Sequence, residues 1–238
     1  MTLAAGGVES GVTALAVATR LEQPQALLQA IENFVVDADI DTAQHLDNAL
    51  PRFSLTLCRL SARIAETVVA GWRERVVTDR TAYLPRLAAS VSALAVRLAA
   101  AGRRREALSS AQEAVDLRRE LAALNRDAYL PELATSVNNL ANRLAEAGRS
   151  TEALTTVQEA VDFHRELAAL NRDAYLPDLA TSVNNLAIRL GEDGRRVQAL
   201  ATAQEAVDLY RELAAHEPGH FGDSLAGAEG TLKRLRKG

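Results

Sequence analysis

The stretch Asn125–Ala141, which reads NRDAYLPELATSVNNLA, decides the fold of this chain because it occurs twice. It returns at Asn171–Ala187 as NRDAYLPDLATSVNNLA, with a single substitution. When residues 124–169 are compared with residues 170–215, 35 of the 46 paired positions are identical. An internal repeat of this length indicates stacked supersecondary units rather than one globular core.

A looser third copy precedes these two, and all three copies keep the same spacing. Their common tyrosines and glycines recur 46 residues apart, as Tyr83, Tyr129 and Tyr175, and as Gly102, Gly148 and Gly194. We therefore expect three repeats, at about residues 83–128, 129–174 and 175–220. An N-terminal helical region with a degenerate repeat is expected at residues 1–82, and a C-terminal capping helix at residues 221–238.

Each repeat is predicted to form two antiparallel helices joined by a loop. In the last repeat Pro177 suits the start of the first helix, where its missing N–H costs nothing, after a loop at residues 170–174. Gly194 suits the end of that helix, because glycine readily adopts the left-handed conformation found at helix C-termini. We also expect the rings of Tyr129 and Tyr175 to pack between successive repeats. The apolar residues shared by the two helices are Leu179, Val183, Leu186, Leu190, Ala199, Ala203 and Ala206.

The small and large residues of each repeat have the order and spacing of a known family. In the last copy they are Val183, Leu186, Ala187, Leu190, Gly194, Ala199, Ala203 and Ala206. This pattern resembles the tetratricopeptide repeat, although the period is 46 residues here rather than about 34. The longer helices and the paired asparagines before Leu-Ala are similar to the kinesin light chain type of repeat. The resemblance implies an all-α fold, in which antiparallel helix pairs stack into a right-handed α-solenoid.

The resemblance also implies that the first helices line a concave groove, which binds a peptide or protein segment. Polar residues lie off the apolar face of these helices and are the groove candidates: Thr135, Asn138, Asn142, Thr181 and Asn184. An asparagine side chain both donates and accepts hydrogen bonds, which suits the backbone of an extended peptide. The alternative is that Asn138 or Asn139 forms a hydrogen bond between neighbouring repeats and fixes their register.

The composition gives no indication of nucleic-acid or membrane binding. The formal net charge is −4 with interspersed signs, which provides no basic surface for phosphates or anionic lipids. No apolar run approaches the ~20 residues that a membrane-spanning helix needs. The single cysteine, Cys58, cannot form an intrachain disulfide and favours a reducing compartment. We therefore expect a soluble, cytoplasmic protein.

One stretch matches the letters of a zinc-protease motif, H-E-x-x-H. Residues 216–220 read HEPGH, but the motif requires both histidines on one face of a continuous helix. Pro218 and Gly219 would break such a helix, so we interpret the stretch as a loop and predict neither metal nor cofactor. His45 and His164 are isolated in the sequence. Without a phosphate-binding loop or a nucleophile elbow, the sequence does not favour an enzyme.

Two functions of different classes remain open at this point. The first is a non-enzymatic interaction module that binds a peptide or protein segment in its groove. The alternative is a regulatory or structural segment, which self-associates into a homo-oligomer or docks to a signalling NTPase. A monomeric chain would favour the first function, because its groove would be free.

Overall fold

The structure of the protein, a computed structural model, describes residues 7–18, 25–36, 38–50 and 57–237. These residues form helices and short connections, and no strand occurs among them. The predicted all-α class of stacked helix pairs is therefore confirmed. The helices are α1 Gly7–Ala18, α2 Gln25–Val36, α3 Ile40–Ala49, α4 Cys58–Thr78, α5 Arg80–Ala100, α6 Arg104–Leu124, α7 Arg126–Glu146, α8 Ser150–Leu170, α9 Arg172–Glu192, α10 Arg196–His216 and α11 Pro218–Lys237.

Two compact units divide the chain, residues 1–117 and residues 118–238. The first unit contains α1 to α5 and the larger part of α6. Beside its core, the rings of Trp72 and Tyr83 lie 5.9 Å apart between centroids. Parts of the region predicted at residues 1–82, and the last residue of the predicted capping helix, lie outside the described residues. The core of the first unit includes side chains without solvent exposure, among them Ile31, Leu46, Ile64 and Val91.

Glycines in the left-handed conformation end the first helix of each repeat, as predicted. After α7, the amide of Gly148 donates to the carbonyl of Ala145, and the amide of Arg149 donates to the carbonyl of Leu144, each over 2.9 Å. This Schellman arrangement satisfies carbonyls that the helix end would otherwise leave unpaired. The φ values are 77°, 76° and 78° at Gly102, Gly148 and Gly194.

The start of each first helix differs from the prediction. α9 begins at Arg172, so Pro177 is the sixth residue of the helix rather than its first. The loop expected at residues 170–174 is also wrong, since Asn171 alone separates α8 from α9. α7 has the same arrangement, with Pro131 inside the helix and Asn125 before it.

The capping chemistry of Asn171 explains this early start. Its side-chain oxygen accepts a hydrogen bond from the amide of Ala174 over 3.2 Å, while its own amide donates to the carbonyl of Leu167 over 2.9 Å. One residue thus ends α8 and begins α9. Pro177 is tolerated because its missing N–H removes only the bond to the carbonyl of Asp173, in the first turn.

The second unit is built from the helix pairs α7/α8 and α9/α10, followed by α11. Tyr175 is half-buried and packs against a cluster formed by Leu130, Ala134 and Leu167 of the preceding pair, as expected for a ring between repeats. The helix pairs begin at Arg80, Arg126 and Arg172, three residues before the conserved spacing of tyrosines. The division into three repeats of 46 residues stays a prediction. Close approach of the helices is allowed by alanines without solvent exposure, namely Ala153, Ala160, Ala199, Ala203 and Ala206.

Candidate peptide-binding surface

Polar residues form an exposed stripe along the first helices α7 and α9. Glu132, Thr135, Asp178 and Thr181 are exposed, whereas the side chains further along the same helices are half-buried. The spacing of three and four residues places them on one helix face. We call this face the first-helix stripe, and it consists of Glu132, Thr135, Asn139 and Asn142 on α7 and Asp178, Thr181, Asn185 and Ile188 on α9.

The two threonines of the stripe use their hydroxyl protons within their own helices. Thr135 donates to the carbonyl of Pro131 over 3.1 Å, and Thr181 donates to the carbonyl of Pro177 over 2.9 Å. The hydroxyl of Tyr210 on α10 lies 3.0 Å from the Thr181 hydroxyl, and burial raises the pKa of this tyrosine. Both threonine oxygens therefore face solvent as hydrogen-bond acceptors.

Asn138 lies beside the stripe rather than on it. Only 8% of its surface is exposed, and its Oδ1 accepts a hydrogen bond from Nδ2 of Asn185 over 3.1 Å. This bond joins α7 to α9, so the sequence alternative of a register-fixing asparagine has a direct structural counterpart. Asn184 occupies the same position one repeat later and is half-buried, but its Oδ1 is buried without a hydrogen-bond partner.

The five sequence candidates are thus brought to one side of α7 and α9, with different environments. Thr135 and Thr181 are exposed, Asn142 and Asn184 are half-buried, and Asn138 is buried. Their contact with a partner stays a prediction.

Sequence reasoning missed two carboxylates on the stripe, Glu132 and Asp178. Both are exposed, and neither forms an ion pair within the described part of the chain. Their charges still reach the interior, where burial lowers the pKa of Arg118 and of His164. Glu132 opposes that effect at Arg118, and Asp178 opposes it at His164. The missed signal was their position three residues before Thr135 and Thr181.

The arginines of the first helices do not neutralise these carboxylates. Arg143 pairs with Glu146 over 2.9 Å, and Arg189 pairs with Glu192 over 2.7 Å. Only 20% and 19% of the side chains of Arg143 and Arg189 are exposed. The charge left on the stripe is therefore negative.

Comparison with known proteins agrees with this architecture. A family model described as tetratricopeptide repeat matches residues 87–122, 133–169 and 179–220. The chain belongs to the tetratricopeptide repeat family. Repeats of this family generally mediate protein interactions, and such scaffolds are generally not enzymes. No curated protein sequence matches the chain.

Solved structures place this tetratricopeptide repeat protein beside kinesin light chain relatives. A crystal structure of putative kinesin light chain nearly identical TPR-like repeats from Podosopora anserina is 18% identical, with a TM-score of 0.57, and the match covers 85% of this chain and 95% of that one. BtubC (BKLC) from P. vanneervenii is 17% identical, with a TM-score of 0.56, covering 97% of this chain and 88% of that one. These similarities confirm the predicted long-helix, kinesin-light-chain-like variety of the repeat.

The second helices of the tetratricopeptide repeats are linked by ion pairs at a fixed spacing. Arg119 pairs with Glu159, and Arg165 pairs with Glu205, each over 2.9 Å and each 40 residues apart in sequence. Exposed pairs of this kind stabilise by only about 0.2–1 kcal/mol each. We call these contacts the inter-repeat ion pairs. A parallel series joins Arg126 to Glu166 and Arg172 to Glu212.

A groove of about 830 Å³ lies between the second helices α8 and α10. Leu154, Leu186 and Leu190 line it and are almost fully buried, so the apolar surface that it offers is small. Its rim is polar, with Gln158 and Gln198 among the exposed side chains. The groove has no charge left unpaired by the inter-repeat ion pairs at Glu159 and Arg165.

The histidines of the zinc-protease letters lie on two different helices. His216 is the last residue of α10, and His220 lies in α11, which begins at Pro218. The loop predicted here is reduced to Glu217 alone, which caps α10 through its amide. Within the described residues, no three His, Cys, Asp or Glu side chains are grouped to hold a metal ion. No described helix combines the length and the apolar character needed to cross a membrane.

Proposed function

We propose that the chain is a non-enzymatic interaction module, which binds a peptide or an extended protein segment on the first-helix stripe. The observation that carries this proposal is the recurrence of exposed polar side chains at equivalent positions of α7 and α9. A buried face would require such groups to be paired within the chain, whereas these retain hydrogen-bonding capacity toward solvent. A cytoplasmic location is part of the proposal.

The geometry of the stripe suits a backbone running across the helices. The hydrogen bond between Asn138 and Asn185 places α7 and α9 side by side, and packed helices are typically about 8–10 Å apart. An extended chain advances about 3.3 Å per residue, so roughly three residues span neighbouring helices. Asn142 supplies both a donor and an acceptor for such a backbone.

Self-association, or docking to a signalling NTPase, is the second candidate function. It is favoured by the groove between α8 and α10, and by the exposed apolar residues Leu170 and Val197, which are 76% and 83% exposed. The small apolar floor of the groove makes this surface the weaker candidate, because stable homodimer interfaces bury a more apolar core.

Site-specific photo-crosslinking separates the two surfaces. A photoreactive phenylalanine analogue is placed at Asn142 on the stripe in one variant, and at Gln158 in the α8/α10 groove in a matched variant. Both full-length variants are incubated with a random library of 12-residue peptides displayed on phage. We expect peptide capture from position 142 and none above background from position 158. Capture only from position 158, or from neither position, would contradict the proposal.

A further inference from the structure

We infer that the first-helix stripe selects a basic segment, with two lysine or arginine side chains three residues apart in an extended conformation. The inference rests on the proposed function, since it names the chemistry of the segment that the stripe binds. Two independent features of α7 and α9 carry it: the charge of the stripe, and the direction in which its hydrogen-bonding groups are committed.

The charge of the stripe is negative and regularly placed. Glu132 and Asp178 occupy equivalent positions, 46 residues apart, and both are exposed. The nearest arginines along the same helices, Arg143 and Arg189, already pair with Glu146 and Glu192. A cationic partner would meet two carboxylates whose charge nothing on α7 or α9 compensates, and complementary charge favours such a partner over an acidic one.

The hydrogen-bonding groups around these carboxylates are acceptors with few free donors. The hydroxyl protons of Thr135 and Thr181 are given to Pro131 and Pro177. The amide Nδ2 of Asn185 is given to Asn138, which leaves its own Oδ1 as an acceptor.

The two prolines add to this surplus of acceptors. Pro131 and Pro177 lack the N–H that would bond to the carbonyls of Asp127 and Asp173, in the turn before Glu132 and Asp178. A surface with many acceptors and few donors is complementary to ammonium and guanidinium groups, which only donate.

The spacing of the carboxylates sets the spacing of the cations. Glu132 and Asp178 lie at the same height on two helices that are linked through Asn138 and Asn185. Packed helices lie about 8–10 Å apart, and three residues of an extended chain cover about 10 Å. One basic side chain per carboxylate therefore corresponds to positions i and i+3 of the bound segment.

Selection from a charge-balanced library of 12-residue peptides tests the sequence preference directly. The full chain is immobilised, and phage displaying random peptides are enriched on it at moderate ionic strength. We expect enriched peptides to carry Lys or Arg at positions i and i+3 more often than the unselected library. Enrichment of acidic or uncharged peptides would overturn the inference but leave the proposed function intact. Enrichment of no peptide at all would contradict both.

A matched pair of double variants then assigns the preference to the stripe. The most enriched basic peptide is synthesised, and its affinity is measured by calorimetry. Glu132→Gln/Asp178→Asn should weaken binding about two- to thirty-fold, the range expected for two exposed charge pairs. The control Asp162→Asn/Asp208→Asn removes the same charge from equivalent positions of the second helices and should change the affinity by less than about twofold.

Equal weakening by both double variants would show that net charge alone attracts the peptide, and weakening by the control alone would move the site to the second helices. Either result overturns the inference. A thermal melt of each variant verifies folding. Because Asp178 also acts on buried His164, the single variant Glu132→Gln is measured as well and should show part of the loss.

Discussion

Replacing Asn138 and Asn184 one at a time should separate two side chains that share one sequence environment. Asn138 is buried and accepts a hydrogen bond from Asn185, whereas the equivalent oxygen of Asn184 has no partner. A net hydrogen bond stabilises by about 0.5–1.5 kcal/mol, and stranding a buried partner costs about 1–3 kcal/mol. Since the donor Asn185 is half-buried and water can reach it, we expect Asn138→Ala to cost about 1–2 kcal/mol.

Asn184→Ala is the internal control, because it removes a similar side chain without removing a hydrogen bond. We expect its free energy of unfolding to change by no more than about 0.5 kcal/mol. For a chain of this size, 1 kcal/mol corresponds to about 2–4 °C in Tm. Urea denaturation followed by circular dichroism would measure the difference. A double-mutant cycle with Asn185→Ala should give a coupling of about 0.5–1.5 kcal/mol between positions 138 and 185.

Equal costs for the two asparagines, or zero coupling between Asn138 and Asn185, would refute this reasoning. The same variants also test the groove prediction made from the sequence. If Asn138→Ala weakens binding of a selected peptide and leaves stability unchanged, Asn138 contacts the partner and the inter-repeat bond is not formed in solution. If stability falls and affinity is retained, the residue holds α7 against α9.

Two further changes test the helix ends and the buried polar interior. Gly148→Ala should destabilise by about 1–2 kcal/mol in urea denaturation, because its φ is 76° although a Cβ would meet no atom within 4 Å; Gly230→Ala, inside α11 and equally open, should be neutral or stabilising, and equal effects at the two glycines would contradict this account. Burial lowers the pKa of His164, opposed by Asp178, so the unfolded chain takes up a proton that the folded chain refuses. The contribution of neutral His164 is therefore complete above the ordinary histidine pKa and is lost as pH falls below about 6.5. His164→Tyr, which copies the residue at the equivalent position 210, should remove this part of the pH dependence, and an unchanged pH profile would contradict the assignment.

The sequence was sufficient for the features that depend on the local chain. Gly148 ends α7 because only glycine adopts its φ without strain, and the spacing of apolar residues places the face that each helix buries. The start of α9 was mispredicted because two local signals competed. Asn171, as an N-cap, prevailed over Pro177, and the sequence alone gives no measure of the single bond that the proline loses.

The environment of each asparagine could not be predicted, because it depends on the helix that packs next to it. Asn138 meets Asn185 on α9, whereas the position equivalent to Asn185 in α11 is Thr231. The hydroxyl of Thr231 donates to the carbonyl of Gly227, so it offers no proton to Asn184. The unpaired state of Glu132 and Asp178 was hidden for the same reason, since most acidic residues nearby are paired with arginines from other turns or helices.

The inter-repeat ion pairs have a consequence for how this protein can change in length. Each copy carries an arginine for the copy that follows and a glutamate for the copy before it, as Arg165 and Glu159 show within α8. A gene with two copies this similar can gain or lose one whole copy by unequal recombination, and every new junction would still match an arginine with a glutamate. At the last copy, Arg211 instead pairs with Asp208 and lies 3.7 Å from Glu229 of α11. Lineages could thus lengthen or shorten the binding face in steps of one repeat, while the same terminal helix closes the array.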